Sequence, residues 1–365
     1  MSKPETVPMG RRQFGGLLAM AAASATLPAC STAIPRQPAL SPTMPTPLLP
    51  LIKARRLQPG DTVGLLAPAG HTNDDAIAKA VANIEALGLR AKLSRNLRAV
   101  YGNYAGSVQQ RLDDLHAMFA DPDVAMLWPV RGGSGGISLL AGIDYGLIRA
   151  NPKVLLGYSD ITALHLAIQR HAGLVTFHGP VASSTLSDYA KSHLQAVLMD
   201  PQPSYTIRMA AENAERAVLQ PNFTVRTVHG GVATGRLIGG NLCLVTALVG
   251  TPYAADLRDS LLFLEEVNEA PYRIDRMLEQ LQLSQGLEQA AAVMFGVCEE
   301  CEAKDGTSSL TLDQSLDLHL APLAAPAVSG YSFGHIRDQF TLPVGLMARL
   351  DTAQQTLTLL EPAVL

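Results

Sequence analysis

VLLGYSDITALHLAI, residues 154–168, passes from one backbone periodicity to another within four residues. Apolar strand formers run into Gly157-Tyr158-Ser159-Asp160, and Ile161, Leu164, His165 and Ile168 then fall at helical spacing. A serine at so tight a strand-to-helix junction has two readings. Ser and Asp are ordinary N-caps that satisfy the free N–H groups of a first helical turn. Alternatively, the turn is a nucleophile elbow that holds the hydroxyl above the sheet edge, at the positive end of the following helix. G-x-S-D lacks the second glycine of the usual G-x-S-x-G, so the motif by itself favours the cap.

The flanking sequence repeats the same alternation. TVGLLAPAG (62–70) reads as a strand ending in a turn, residues 73–87 as a helix stopped by Gly88, and 108–120 as a second helix. VAMLWPV (124–130) is another strand, followed by a short helix in GGISLLAGI. Strand and helix in alternation predict an α/β domain with a parallel sheet covered on both faces, and ligands in such sheets bind beyond the carboxyl ends of the strands. Periodicity weakens over residues 191–227, which read as an interdomain connection between a domain at 53–190 and a second at 228–365. The second half carries TGRLIGGNLCLVTALVG (234–250), a strand at 261–266, a helix at 272–281 and a strand at 291–297. Two short strands near 344–350 and 355–360 look paired.

The first 52 residues read as targeting and tether. Arg11-Arg12-Gln13-Phe14 precedes an uncharged stretch from Gly15 to Pro28, too short to span a bilayer, as in a twin-arginine export signal. Leu27-Pro28-Ala29-Cys30 resembles a lipobox, in which Cys30 becomes a lipidated N-terminus; a plain cleaved signal is the alternative. Ser31 after that cysteine permits transfer to the outer membrane by analogy with bacterial lipoproteins. Prolines at 35, 38, 42, 45, 47 and 50 make the next segment, 31–52, an extended tether. The expected location is periplasmic, with the membrane reached through a lipid anchor only.

Three of the 28 basic residues and one of the 32 acidic residues precede Cys30, so the remainder carries a formal net charge of −6. Without a basic cluster, that balance argues against nucleic acid as a partner. Beyond Cys30 the cysteines are Cys243, Cys298 and Cys301. Cys298-Glu-Glu-Cys301 has the spacing of a redox pair or half a zinc site, but no second pair completes four ligands. A fortuitous pair after a buried strand, or a disulfide outside the cytoplasm, fits better.

A serine nucleophile needs a base within hydrogen-bond reach and a group to orient that base. Of nine histidines, His165, His116 and His319 sit in helical patterns; His178 ends a strand in VTFHGP; His335 lies in the loop-like GYSFGHIRDQFTLPVG. Loops held by a rigid scaffold are where catalytic groups collect. Glu265 and Glu266 close the apolar run SLLFLEE, and strand alternation sends them to opposite faces, so one enters a given pocket; either could instead end the strand in water. The glycines of RGGSGG (131–136) fit a dinucleotide fingerprint poorly. They read either as a flexible turn or as close-approach backbone whose N–H groups, with that of Asp160, form an oxyanion hole.

RGGSGG, GYSD, GRLIGGNL with GTPY, LLFLEEVNEAPYRIDRML and FGHIRDQFTLPVG, in that family's order from about Leu57 to Leu350, together resemble the LD-carboxypeptidases, serine peptidases that include muropeptide-recycling and microcin C immunity enzymes. The resemblance implies an N-terminal α/β domain followed by a smaller, swivelling C-terminal α/β domain, a homodimer, and a metal-independent mechanism with no cofactor. It places the nucleophile on Ser159, the glutamate on Glu265, the histidine on His335 and the Gly-Gly loop on Gly132 and Gly133. It further implies a muropeptide substrate, release of terminal D-Ala from peptidoglycan tetrapeptides, and a cation near the product carboxylate, for which Arg131 and Arg337 are candidates. Ser134 stands where the family's R-G-G-Y-G has tyrosine, which changes the cleft. Two other readings therefore remain: a tethered muropeptide-binding lipoprotein without turnover, and a related hydrolase of acyl-amide peptide conjugates.

Overall fold

The computed structural model describes residues 49–304, 306 and 308–365. The export signal, the lipidation site Cys30 and nearly all of the tether therefore lie outside the described residues. The first sheet is built from β1 (Thr62–Leu66), β2 (Arg90–Leu93), β3 (Val124–Pro129), β4 (Val154–Gly157) and β5 (Thr176–His178). Helices α1 (Asp74–Glu85), α2 (Val108–Ala120), α3 (Tyr145–Ala150) and α4 (Thr162–Ala172) lie between them in the chain. Local chemistry sets their ends. Asn73 caps α1 through Ala76 N–H, Ser107 and Gln110 form a capping box on α2, and Gly173 ends α4 in the left-handed region at φ 68°. The stretch GGISLLAGI forms a 3-10 turn, Gly136–Gly142, rather than an α-helix.

The chain continues through α5 (Asp188–Leu198), β6 (Tyr205–Arg208), α6 (Ala211–Arg216), β7 (Arg226–His229), β8 (Val232–Asn241), α7 (Leu242–Ala247), β9 (Ser260–Glu265) and α8 (Pro271–Ser284). It ends with β10 (Ala292–Gly296), α9 (Leu312–Leu320), β11 (Ala327–Tyr331), β12 (Leu342–Val344), β13 (Met347–Asp351) and β14 (Thr356–Leu359). The 191–227 stretch thus has structure of its own, and its strands β6 and β7 form the two edges of the second sheet.

The first sheet has the order β12-β5-β4-β3-β1-β2 and is parallel apart from β12, which runs antiparallel to β5. The second has the order β6-β14-β13-β8-β9-β10-β11-β7, with a parallel centre of β8, β9, β10 and β11 flanked by antiparallel strands. The architecture is a two-domain α/β fold. Every residue of β3, β4, β9, β10 and β11 is buried, which is why these segments read as continuous apolar runs rather than alternating ones. The paired strands expected near the C-terminus are β13 and β14, joined antiparallel from Ala348↔Leu359 to Asp351↔Thr356. Just before them, β12 returns to the first sheet, so the C-terminal segment contributes to both.

Candidate active site

Five chemistry-bearing segments meet at the carboxyl ends of parallel strands. Ser159 follows β4, the glycine loop follows β3, His178 ends β5, Glu265 ends β9, and His335 lies four residues beyond β11. Ser159 is held at φ 61°, a left-handed conformation that costs a non-glycine residue free energy and that persists only where the surroundings impose it. No side-chain cap marks the start of the 3-10 turn Ser159–Ile161, so capping does not account for the serine.

The glycine loop presses directly on that turn. A Cβ on Gly132 would lie 2.9 Å from Ser159 Cβ, 3.1 Å from its Oγ and 3.4 Å from Asp160 N, an approach that only glycine permits. Gly70 N–H donates to the Gly132 carbonyl at 3.1 Å, which fixes the orientation of the 132–133 peptide and turns the Gly133 N–H away from Gly70. The Asp160 carboxylate accepts the Gly136 N–H at 2.6 Å, and Arg111 donates to the Gly135 carbonyl at 2.9 Å. Asp160 therefore locks the loop through its side chain, beyond the backbone role expected of it.

Glu265 and His335, 70 positions apart, are joined by a 2.7 Å hydrogen bond between Oε2 and Nδ1. Burial favours the neutral carboxyl of Glu265, but His335 beside it overcomes that and holds it below the usual carboxylate range. Burial likewise disfavours the imidazolium of His335, yet Glu265, with Glu266 and Glu299 further off, raises its pKa above the ordinary histidine value. The other glutamate points elsewhere, as the alternation required. Glu266 accepts from Asn241 Nδ2, Cys243 N and Val267 N, each at 2.9–3.0 Å, and burial pushes its carboxyl upward. Neither carboxylate ends in water; Glu265 is fully buried and Glu266 is 4% exposed.

With its Nδ1 bonded to Glu265, His335 has Nε2 left for the cavity that it and Ser159 both line. This cavity of about 450 Å³ is also lined by Gly132, Gly133, Tyr158 and Arg131. His71, Thr72 and Asn73 just before α1, and Ser183 and Ser184 after β5, add polar groups to its wall. Of the two arginines considered for a carboxylate, Arg131 lines this cavity, whereas Arg337 lies in a separate surface depression with Asp188, Glu212 and Asp338. Tyr158 escaped the sequence reading although it sits beside the nucleophile; its ring meets His335 edge-on at 4.6 Å. Ser134 Oγ accepts a 2.7 Å hydrogen bond from Asn103 Nδ2 at the loop's outer side.

Cys298 and Cys301 form a disulfide just beyond β10. Between them, Glu299 bridges to Val267, and its carbonyl accepts the Asn268 N–H at 2.9 Å, tying this loop to the residues after Glu265 and Glu266. Among the described residues, no group of three or more His, Cys, Asp or Glu side chains could hold a metal ion, and no helix is long and apolar enough to cross a membrane.

An elbow serine, a carboxylate-bound histidine and a tight glycine loop in a two-domain α/β frame define a serine-type hydrolase. Residues 63–179 match the LD-carboxypeptidase N-terminal domain and residues 234–350 the LD-carboxypeptidase C-terminal domain, so the chain belongs to the LD-carboxypeptidase family and is a serine-type carboxypeptidase. It is 38% identical over 309 residues to a Bacillus subtilis protein named "Probable murein peptide carboxypeptidase", covering 83% of this chain and 93% of that one. Identity to the Pseudomonas aeruginosa "Murein tetrapeptide carboxypeptidase" is 34% over 292 residues, or 79% and 92% of the two chains. The crystal structure of an MccF-like protein from Bacillus anthracis superposes with a TM-score of 0.74 at 28% identity, over 84% of this chain and 99% of that one.

Proposed function

We propose that this chain cleaves the L,D-peptide bond that releases terminal D-Ala from peptidoglycan tetrapeptides, with Ser159, His335 and Glu265 as its catalytic triad. The observation that carries the reading is the 2.7 Å contact of Glu265 with His335, in a cavity shared with a serine held at φ 61°. The murein peptide and murein tetrapeptide named for the relatives support the substrate class.

The steps follow from the groups present. His335 Nε2 takes the Ser159 hydroxyl proton as Oγ attacks the carbonyl carbon that precedes D-Ala. Glu265 orients the ring and stabilises the imidazolium without itself taking the proton. The N–H groups of Asp160 and Gly133 receive the oxyanion; removing one such donor typically costs about 3 kcal/mol. His335 then gives its proton to the departing amine of D-Ala, and water, activated by the same histidine, hydrolyses the acyl-enzyme. Arg131 receives the terminal carboxylate of the substrate.

Mass spectrometry of L-Ala-γ-D-Glu-diaminopimelate-D-Ala incubated with the protein tests this reading. Loss of one alanine with the wild type and none with a folded Ser159→Ala variant is expected; retained hydrolysis by that variant overturns the assignment. Ser134, hydrogen-bonded to Asn103 where the family has tyrosine, favours a second reading in which the same triad cleaves an acyl-amide peptide conjugate. An aminoacyl-nucleotide analogue offered beside the tetrapeptide separates the two, and ligand binding without any mass change is the signature of a binding lipoprotein.

The location proposed is the periplasm, through twin-arginine export and lipidation at Cys30, on the strength of Arg11-Arg12 and Leu27-Pro28-Ala29-Cys30. Labelled palmitate should enter the wild type and not the Cys30→Ser variant.

A further inference from the structure

His178 is fully buried at the end of β5, paired with Gly157 of β4 and Leu342 of β12. Its ring meets Phe263 edge-on at 5.3 Å, Tyr158 at 6.2 Å and Phe333 at 6.5 Å. Phe263 shares a face of β9 with Glu265, and Tyr158 contacts His335, so His178 stands against the Glu265–His335 pair and interacts electrostatically with both. Neither of its ring nitrogens has a hydrogen-bond partner in the protein, and Glu265 Oε1 has none within hydrogen-bond distance: the Asn241 amide, which also helps to hold the Glu265 carboxyl low, donates to Glu266 Oε1 at 2.9 Å instead.

A buried polar group without a partner is rare and costly, so two of them side by side with opposite needs call for an explanation. Burial drives the pKa of His178 down to about 4, so near neutral pH it is an uncharged imidazole with one N–H to donate. An ionised carboxylate oxygen can only accept. Phe263 and Phe333 offer no polar atom. The neighbouring His165 donates Nε2–H to the Gly157 carbonyl at 2.8 Å, which leaves its Nδ1 a neutral acceptor, weaker than a carboxylate.

We propose that His178 is a positioning residue for the reaction: it donates its imidazole N–H to Glu265 Oε1, directly or across one buried water, and so keeps Oε2 on His335. The carboxylate then sits between two imidazoles with different tasks, one that titrates and one that stays neutral. This rests on the triad reading above, because it acts only through Glu265 and His335.

The other ionisable groups facing the pair are Glu266 on β9, Glu299 in the loop after β10 and Tyr158 after β4; substitutions at His178 leave all three in place. Removing a donor from Glu265 makes that carboxylate more basic and favours a positive His335. In His178→Leu, the acid limb of kcat/KM on the tetrapeptide should therefore move to higher pH by roughly one unit, with kcat falling more than tenfold and KM little changed. His178→Asn or His178→Gln, whichever places its amide N–H where the imidazole N–H was, should restore the wild-type limb.

The His335 imidazole, followed by NMR in the same proteins without substrate, should titrate higher in the leucine variant. This readout stands even if the tetrapeptide is not the substrate, so failure of the functional reading is distinguishable from failure of the inference. In the wild type, the His178 imidazole N–H should appear as a slowly exchanging downfield proton that shifts as the Glu265–His335 pair titrates, a test that needs no variant to fold. An unmoved limb and unmoved His335 titration in all three variants, or a His178 proton indifferent to that titration, overturns the proposal and leaves His178 a packing residue.

Discussion

Thr162 Oγ1 accepts the backbone N–H of Asn241 at 3.0 Å, where the helix that follows Ser159 touches the end of β8. Asn241 pairs in register with Glu265 on β9, so this hydrogen bond ties the nucleophile's helix to the strand that ends in the carboxylate. Thr162→Val keeps the shape but leaves the Asn241 N–H buried and unpaired. We expect a loss of about 1–3 kcal/mol in denaturant unfolding. We also expect kcat to fall more than KM rises, because alignment rather than binding is disturbed.

The adjacent glutamates should separate cleanly. Glu265→Gln removes the charge that orients and supports His335, and kcat should fall on the order of 10³–10⁴-fold, with loss of the stability that the ionised carboxylate contributes. Glu266→Gln should instead lower stability, since Asn241, Cys243 and Val267 all donate to that carboxylate, with chemistry largely preserved. Steady-state kinetics and melting curves on both variants check this, and equal losses of activity would contradict the division of roles.

Activity should switch on above the ordinary histidine range. His335 works as a base only when neutral, and its pKa is raised above 6.5, so the acid limb of kcat/KM should fall above pH 6.5. Stability should run the other way for this residue: its contribution is complete below pH 6.5 and is lost as pH rises through the higher folded value. Glu265, held low, adds stability that is present above its unfolded pKa and disappears as pH falls through its folded one. A pH–rate profile and unfolding curves over roughly pH 3 to 9 test both signs.

Backbone strain at the elbow predicts an order among inactive variants. With φ at 61°, Ser159→Gly should be more stable than Ser159→Ala by about 1 kcal/mol, although both lack the nucleophile. Gly132→Ala should fold yet lose on the order of 10²-fold in kcat, because its methyl group would meet Ser159 Cβ at 2.9 Å and displace the reacting hydroxyl. Thermal melts and kinetics on these three variants are sufficient.

Reduction should loosen the loop beside the carboxylates. Replacing Cys298 and Cys301 with serine should cost roughly 2 kcal/mol on a chain-entropy estimate. It should also lower activity partially, since Glu299 anchors Val267 and Asn268. Unfolding with and without dithiothreitol checks the first, and unchanged kinetics in the double variant would refute the second.

By itself, the sequence determined the local elements and the order of the site. Fully apolar runs at 124–130 and 261–264 declared buried parallel strands, and the change of period at Gly157 to Ile161 declared the elbow. Those signals are legible because hydrophobic spacing and turn chemistry act over a few residues. Spacing did not distinguish a capping serine from a nucleophile; that step needed a family pattern spread over the whole body. The same family pattern picked Glu265 over Glu266, but only the tertiary structure decided that Glu265 is fully buried against His335, that His178 stands behind the pair, and that β12 returns to the first sheet while β6 and β7 become edges of the second. Each of these depends on groups far apart in the chain, up to 168 positions in the pairing of Val344 with Thr176. Such contacts leave no periodic trace in the chain, because they arise from how the sheets pack and not from what any one segment prefers.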